Sequence, residues 1–324
     1  MDNSLITLLV LIGLICVVMA IAQPGDFYSL SNLQSMLYQF PEYGIMAYGV
    51  MICMIAGGID LSLVGIANFS GIVCVSIILG MGGTTISIIL GIIAALVIGM
   101  VCGAFNGFLV GYLDIPAMLV TLCGLQVFTG AGLAITTGPA LNGLPDSYSN
   151  IANGMLFNAV PYTLFIFIAV VALMWFVLNC TVFGRQVYFM GSNKVAAKFS
   201  GINCLKTTMK TYILSGILGA IAGVIITSHF ASAKSDYGNT YTLLTILIVV
   251  LGGVHPDGGR GKVLGVTLSI LTLSLITQMF SILQVDTNFK TCAFGALLIL
   301  ALVFTMVQDA FSRRKEARII AEKQ

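Results

Sequence analysis

The sequence predicts an all-α polytopic membrane protein with about ten transmembrane helices and both termini in the cytoplasm. Of the 324 residues, 58% are hydrophobic and only 8% charged, and the mean hydropathy is +1.05, whereas about a quarter of a soluble domain is charged. Apolar runs alternate with short Gly, Pro and Asn breaks, and a membrane span needs roughly 20 apolar residues. The basic residues are concentrated in alternate connectors, as expected for a multi-pass protein.

Ten apolar runs define the predicted spans. They lie near 4–22, 38–56, 62–80, 85–111, 117–136, 159–179, 209–228, 240–254, 263–283 and 290–308. Together they predict one transmembrane domain over 1–308, followed by a basic cytoplasmic tail over 309–324. Ala20 and Ala22 resemble a signal-peptide cleavage site, but the N-terminus has no basic residue and the run is long enough to span the bilayer. We therefore interpret the first run as a membrane helix.

The orientation follows from the Lys and Arg residues. With both termini inside, the cytoplasmic connectors hold 12 of the 14 basic residues, in agreement with the positive-inside rule. These are Arg185, Lys194, Lys198, Lys206, Lys210, Arg260, Lys262, Arg313, Arg314, Lys315, Arg318 and Lys323. The opposite orientation would place nearly all of them on the wrong side.

Enzyme and metal motifs are not found in the sequence. The eight cysteines never form C-x-x-C and are typical of small packing residues, and His229 and His255 are too few for a metal cluster. The segment "GGVHPDGGRGKVLG" (252–265) resembles a phosphate-binding loop, but Pro256 replaces its first glycine and Val263 its Mg²⁺-binding hydroxyl. We expect no catalytic residue, metal, cofactor or nucleic-acid partner. The segment is either a tight cytoplasmic turn with glycines at positive φ or a docking surface for another cytoplasmic protein.

The longest cytoplasmic connector, at about 180–210, is longer than a simple turn requires. Within it, "NKVAAKFSGI" predicts a short helix, because Ser192 or Asn193 can cap the first turn, alanines favour helix and Gly201 can adopt the left-handed closing conformation. The residues alone leave two interpretations open. The helix either enters a groove of a partner protein or lies on lipid head groups, where its lysines meet anionic lipid.

Four blocks in the same order resemble the membrane permease subunits of ribose-, xylose- and galactose-type ABC importers. They are "GGIDLS" (57–62), "NGFLVGYLDIPAMLVTLCG" (106–124), "FGRQVYFMGSNKVAAKFSGIN" (183–203) and "LGGVHPDGGRGKVLG" (251–265). The resemblance implies a bacterial plasma (inner) membrane protein that works with a second permease subunit, identical or paralogous, a cytoplasmic ATPase subunit and an extracytoplasmic solute-binding protein that delivers the sugar. It also implies that this subunit is not itself an enzyme.

The resemblance assigns roles to particular residues. In this family the long cytoplasmic loop carries the coupling helix, which contacts the ATPase subunit during alternating access. The matching positions here are Gly191, Ser192, Asn193, Ala196, Ala197, Ser200 and Gly201. The resemblance also implies a translocation path for the sugar that is mildly polar and lined by small residues. Candidate residues for this path are Asn68, Ser70, Asn106, Thr121, Ser269, Thr272, Ser274, Thr277 and Gln278. For each of these, hydrogen bonding between helices, typically well under 2 kcal/mol, is the alternative.

The segment containing Asp60 combines pliable backbone with a carboxylate. Gly57 and Gly58 can end one helix, and Asp60 or Ser62 can cap the next. An ionised Asp near the bilayer centre costs on the order of 3 kcal/mol, so this charge requires a reason. The junction is either a structural cap and bend or a gating hinge beside the sugar path.

The chain departs from the family pattern at three places. One extra residue lies between Ser62 and Gly65. Because one residue turns a helix by about 100°, the family pattern does not predict which side of the helix at 66–80 faces the pore. The blocks "PAM" (116–118) and "CG" (123–124) also differ from the usual residues.

Other functions stay open. Related permeases import nucleosides, branched-chain amino acids or signalling furanones. A secondary transporter coupled to protons or sodium would need an intramembrane carboxylate, for which Glu42, Asp60 and Asp114 are candidates.

Overall fold

The structure is a computed structural model that describes residues 3–136, 139–157, 160–286 and 288–303. The tail predicted over 309–324 and the last residues of the tenth predicted run, 304–308, lie outside the described residues. The described chain is mostly helical, with one two-stranded antiparallel hairpin.

The elements follow in chain order. The first half holds α1 (Asn3–Ala22), α2 (Pro24–Phe27), α3 (Leu30–Ile55), α4 (Leu63–Gly80), α5 (Thr85–Gly111), α6 (Ala117–Ile135) and α7 (Asp146–Asn153). The hairpin consists of β1 (Met155–Leu156) and β2 (Val160–Pro161). The second half holds α8 (Tyr162–Cys180), α9 (Val182–Ser192), α10 (Lys194–Phe199), α11 (Cys204–His229), α12 (Tyr241–Leu251), α13 (Val263–Ile282) and α14 (Asn288–Val303).

Each of the ten predicted runs overlaps a helix. Among the described residues, seven helices are long and apolar enough to cross a membrane, namely α1, α4, α5, α6, α8, α11 and α13. The apolar helices α12 and α14 are shorter, and α3 is long but less apolar because it carries Gln39, Glu42 and several tyrosines. The apolar runs of the sequence therefore predict the positions of these ten helices.

Two predicted boundaries need correction. Helix α3 begins at Leu30 rather than near 38, because Ser29 caps it by accepting a hydrogen bond from the backbone N–H of Asn32. Helix α11 begins at Cys204 rather than near 209, because the Asn203 side chain accepts a bond from the N–H of Lys206. Side-chain caps thus extend both helices into polar sequence, and the connector predicted at about 180–210 shortens to 181–203.

Helix α3 is the centre of the core. Every residue from Phe40 to Ile55 is buried, and α4, α8, α11, α12 and α13 pack around the helix. The hydroxyl groups of Tyr48 and Thr267 lie 2.7 Å apart and join α3 to α13. This part of α3 is therefore surrounded by protein rather than by lipid.

Close packing of α5 on α11 depends on glycine. A Cβ atom on Gly99 would overlap the carbonyl oxygen of Gly216, and one on Gly216 would overlap the carbonyl oxygen of Gly99. Small residues let two membrane helices approach through their backbones, where van der Waals packing drives association. This contact fixes α11 against α5.

The connectors meet at two opposite ends of the helix bundle. Connectors 56–62, 112–116, 181–203 and 252–262 form one end, hereafter the basic end, where Gly259 N–H donates to the carbonyl of Ile55. Connectors 139–157 and 230–240 meet at the other end, where Leu141 forms a β-bridge with Ala233. The connectors that the positive-inside rule assigns to the cytoplasm are those of the basic end.

Candidate coupling site and helix junction

The connector between α8 and α11 is built from local caps. Thr181 caps α9 by accepting from the N–H of Gly184 at 3.0 Å. Asn193 caps α10 by accepting from the N–H of Ala196 at 2.9 Å, and Gly201 closes it at φ +80°. The predicted short helix is confirmed, with Asn193 rather than Ser192 as its cap, since the Ser192 hydroxyl donates to the Tyr188 carbonyl.

Helix α10 presents an apolar outer face. Ala197 is fully buried against the rest of the chain, whereas Val195 is 66% and Phe199 89% exposed. Lys194 and Lys198 are also exposed. An exposed phenylalanine beside two lysines suits either a partner protein or a lipid surface, so the geometry leaves both interpretations available.

Three connectors meet through glycine backbone at the basic end. Gly57, Gly191, Gly258 and Gly259 form what we call the glycine contact. A Cβ atom on Gly191 would overlap the Ile55 carbonyl oxygen and lie 2.7 Å from the Gly259 nitrogen, and one on Gly258 would lie 2.9 Å from the Gly57 Cα. The N–H of Gly259 donates to the Ile55 carbonyl at 2.8 Å. The connector 181–203 therefore contacts the end of α3 directly, with no side chain between them.

Side chains fasten the same connector at two more points. The Tyr188 hydroxyl donates to the Gly261 carbonyl at 2.8 Å, and burial raises the pKa of Tyr188 above its ordinary value. Lys194 Nζ lies 2.6 Å from Asp114 Oδ1. The Lys194 ammonium, by hydrogen bond and by charge, holds the pKa of the Asp114 carboxyl below its ordinary value. The connector is thus attached to all three neighbouring connectors of the basic end.

Segment 252–262 is the third member of the glycine contact. Positive φ at Gly253, Gly258 and Gly259, of 80°, 91° and 72°, confirms the glycine turn predicted there. Its backbone is engaged with Ile55 and Tyr188 of the same chain. The glycines of this segment therefore serve an internal contact between connectors.

Asp60 lies within the helix junction, residues 56–62 between α3 and α4, and is buried at 1% exposure. Its Oδ1 accepts bonds from the N–H and the hydroxyl of Ser62, at 3.0 and 2.6 Å, and its Oδ2 accepts one from the Ser215 hydroxyl at 2.7 Å. The Asn106 side-chain amide donates to the Ser62 hydroxyl oxygen at 2.8 Å. These four residues, the Asp60 network, join the junction to α5 and α11.

The cap predicted for α4 takes a different form. Ser62 occupies the N-cap position, but its side chain accepts no bond from the first turn of α4. Its hydroxyl donates to Asp60, and its oxygen accepts from the Asn106 side-chain amide of α5 rather than from the first turn of α4. Asp60 bonds the N–H of the N-cap residue itself, so the prediction that either side chain caps the first turn is wrong. Gly57, at φ +89°, does end the preceding helix as expected.

The residues predicted for a polar path are distributed over three regions. Asn106 and Thr121 lie at the junction, where the Thr121 hydroxyl donates to the Ile59 carbonyl at 2.9 Å. Asn68 donates to the carbonyls of Ser235 and Tyr237 toward the other end. The remaining residues are Ser70 on α4 and Ser269, Thr272, Ser274, Thr277 and Gln278 on α13. Most are buried within the single chain, and their part in transport remains a prediction.

Glu42 belongs to a cluster that sequence reasoning missed. Its carboxylate is fully buried, with one oxygen hydrogen-bonded to His229 Nδ1 and the other accepting from the Tyr241 hydroxyl at 3.0 Å. The three residues tie α3 to α11 and α12 at the end opposite the basic end. Glu42 and His229 are 187 residues apart in the chain, so no local pattern indicates the pair.

Comparison with known proteins identifies the family. Residues 32–302 match the family described as branched-chain amino acid transport system / permease component. The chain belongs to this permease family. Ribose import permease proteins are similar over most of its length: that of Escherichia coli K12 is 30% identical over 93% of this chain and 92% of its own. That of Haemophilus influenzae is 29% identical over 93% and 92%.

A second kind of relative is also similar. The autoinducer 2 import system permease protein of Photorhabdus laumondii is 32% identical over 80% of this permease and 78% of its own chain. No solved structure matches. Membership of the permease family, together with the apolar helices, makes the chain a multi-pass transport subunit of the bacterial plasma (inner) membrane.

Proposed function

We propose that this chain is the transmembrane permease subunit of an ATP-driven ABC importer that translocates a sugar by alternating access. A separate cytoplasmic ATPase subunit supplies the energy, and an extracytoplasmic binding protein delivers the sugar. The observation that carries the proposal is the exposed helix α10, whose connector meets the helix junction at the glycine contact. Such a rigid backbone contact suits the transfer of movement from a partner to the membrane helices.

The relatives favour a sugar as the solute. Ribose appears in the names of several relatives and autoinducer 2 in those of others. Ribose is therefore the first solute to test and autoinducer 2 the second. Nucleosides and branched-chain amino acids are less supported, although the family description includes the latter.

The proposed topology has ten spans and both termini in the cytoplasm, with residues 1–308 as one transmembrane domain. The basic end then faces the cytoplasm, and α10 faces the ATPase subunit. A second permease subunit, a copy or a paralogue, completes the pore within the lipid. ATP is hydrolysed by the partner, because the Gly-rich segment 252–262 takes part in the glycine contact and lacks the residues of a phosphate-binding loop.

Movement would pass through the chain in three steps. Closure of the ATPase displaces α10, and the glycine contact carries that displacement to the end of α3. The Asp60 network then carries it to α5 and α11, since Ser62, Asn106 and Ser215 are joined by hydrogen bonds to one carboxylate or to each other. Asp60 therefore serves as a gating residue as well as a structural one.

Reconstitution in lipid vesicles tests the proposal. The permease, its ATPase subunit and a ribose-binding protein should import labelled ribose only with ATP, and a protonophore should not stop import. Uptake without the ATPase subunit, or collapse under a protonophore while ATP is present, contradicts the proposal and favours an ion-coupled transporter.

Two phenylalanines provide a matched pair of variants. Phe199 on α10 is 89% exposed, and Phe157 at the opposite end is 91% exposed. Phe199→Asp should abolish copurification of the ATPase subunit, because it places a charge on the apolar face of α10. Phe157→Asp should leave copurification intact. Equal binding of the ATPase by both variants would show that α10 is not the contact.

A further inference from the structure

A buried carboxylate with a histidine partner lies at the end of the bundle opposite the basic end. Glu42, His229 and Tyr241, hereafter the outer cluster, tie α3 to α11 and α12 through the hydrogen bonds described above. The Glu42 side chain is 1% exposed, whereas that of His229 is 27% exposed. The proposed path of movement from α10 to the Asp60 network uses none of these residues, so the outer cluster requires an explanation of its own.

His229 is the basic residue that neutralises Glu42. Among the described residues, no Lys, Arg or second His lies within ion-pair distance of this carboxylate. Helices α4, α5, α8 and α13, which also pack on α3 or α11, contain no Asp, Glu, Lys, Arg or His. The other charged residues that the structure describes outside the basic end are bonded to neither Glu42 nor His229, and they are Asp26, Asp146, Lys234, Asp236, Asp286 and Lys290.

The rings around His229 suit a positive charge. The imidazole stacks on the rings of Tyr38 and Phe230, with centroids 6.0 and 5.1 Å away, and aromatic faces attract a cation within about 6 Å. A buried carboxylate that loses its positive partner is costly. A protonated His229 therefore satisfies Glu42 by charge and by hydrogen bond, whereas a neutral His229 satisfies it by the hydrogen bond alone.

His229 lies where it can exchange its proton with water outside the membrane. It is the last residue of α11, and the connector 230–240 follows it. Under the proposed topology this end faces the extracytoplasmic side. Histidine is the side chain that ordinarily changes charge between pH 5 and 8, whereas the phenols packed around the cluster, those of Tyr38, Tyr43 and Tyr241, stay neutral below about pH 9. The charge on the outer cluster therefore follows the external pH through His229.

We propose that the outer cluster is a pH-dependent latch, in which protonated His229 holds the outer ends of α3, α11 and α12 together and slows opening toward the binding protein. The proposal rests on the importer function given above. Alternating access requires this end to open before the sugar can enter. A charge-assisted hydrogen bond is roughly twice as strong as a neutral one, so opening costs more while His229 is charged. Acid on the extracytoplasmic side slows import, and a rise in external pH releases the latch.

Import into vesicles with a fixed internal pH tests the latch. ATP and the ATPase subunit are inside at neutral pH, and a saturating amount of ribose-loaded binding protein is outside. The initial import rate should be about five-fold higher at external pH 8.5 than at pH 5.5, the equivalent of replacing a charge-assisted hydrogen bond by a neutral one. Equal wild-type rates at the two pH values, or a slower rate at pH 8.5, would overturn the proposal.

Neutral replacements identify the group that titrates. His229→Gln and Glu42→Gln each remove one charge of the pair and keep a side chain that can form hydrogen bonds, so each should abolish most of the difference between the two pH values. The binding protein is the same in every preparation, so its own response to pH is common to all variants. Tyr241→Phe is the matched control, because it removes the other hydrogen bond to Glu42 and leaves the pair. It should import faster at both pH values and keep the five-fold ratio.

The wild-type ratio in both His229→Gln and Glu42→Gln would exclude the outer cluster as the pH-sensitive element. Loss of the ratio in Tyr241→Phe would show a structural tie rather than a titrating latch. If His229→Gln does not assemble with the ATPase subunit, Glu42→Gln alone decides. The proposed function is judged separately, by whether wild-type import requires ATP. ATP-dependent import at equal rates at both pH values overturns the latch only, and absent ATP-dependent import contradicts the importer itself.

Discussion

Gly191→Ala should uncouple the permease from its ATPase, because the glycine contact leaves no room for a side chain. The new Cβ would overlap the Ile55 carbonyl oxygen and lie 2.7 Å from the Gly259 nitrogen. Both are backbone atoms, so the connector must move away from α3 and the bond from Gly259 to Ile55 must lengthen. Overpacking costs about 1–3 kcal/mol and the lost hydrogen bond about 1 kcal/mol, which gives roughly 2–4 kcal/mol at this contact.

The assay compares ribose imported with ATP hydrolysed in the same vesicles. Gly191→Ala should still copurify with the ATPase subunit, since the outer face of α10 is unchanged, but the ribose imported per ATP should fall several-fold. Gly130→Ala is the control, because nothing lies within 4 Å of its new methyl group. Wild-type coupling in Gly191→Ala would refute the argument that backbone contact transmits the movement.

Three further predictions concern the carboxylates. Asp60→Asn should lower the unfolding free energy in detergent by about 1–3 kcal/mol, because an amide has a single acceptor oxygen for the donors from Ser62 and Ser215; an unchanged denaturation midpoint would contradict this. Glu42→Ala should destabilise by a similar amount, leaving two partners unsatisfied, whereas Glu42→Gln should retain most of the stability in the same measurement. The pKa of Asp114 is lowered in the folded chain, so its ion pair stabilises the fold above the unfolded pKa near 3.9. This stabilisation is lost as the pH falls below that value. The melting temperatures of wild type and Asp114→Asn should therefore run parallel between pH 5 and 8, and divergence in that range would count against the pair.

Local signals made the helices and the connector 181–203 predictable. Each of the ten apolar runs overlaps a helix. Ser192 or Asn193 predicted the start of α10 and Gly201 its end, and Asn193 is the cap. The same kind of signal misled at α4, where Ser62 occupies the N-cap position but its oxygen accepts from Asn106 instead of from the first turn. The cap is absent because a donor on another helix, which the local sequence does not show, bonds the capping oxygen.

Contacts between distant segments were not predictable. Each glycine pair, at 57–58 and 258–259, predicts a turn, but the sequence does not say which turns meet. The pairing of Glu42 with His229 depends in the same way on how α3 and α11 pack. A single sequence records local conformation, whereas these contacts arise from the arrangement of whole helices.

The burial of α3 has a consequence for how the chain enters the membrane during synthesis. Helix α3 is less apolar than its neighbours and carries Glu42, so transfer of this helix alone from the translocon into lipid is less favourable than transfer of its neighbours. The helices that cover it, among them α11 and α13, emerge from the ribosome much later. We therefore expect α3 to stay at or near the insertion machinery until those helices emerge. A chain truncated after α6 should insert α3 poorly, although α3 itself is complete in that chain.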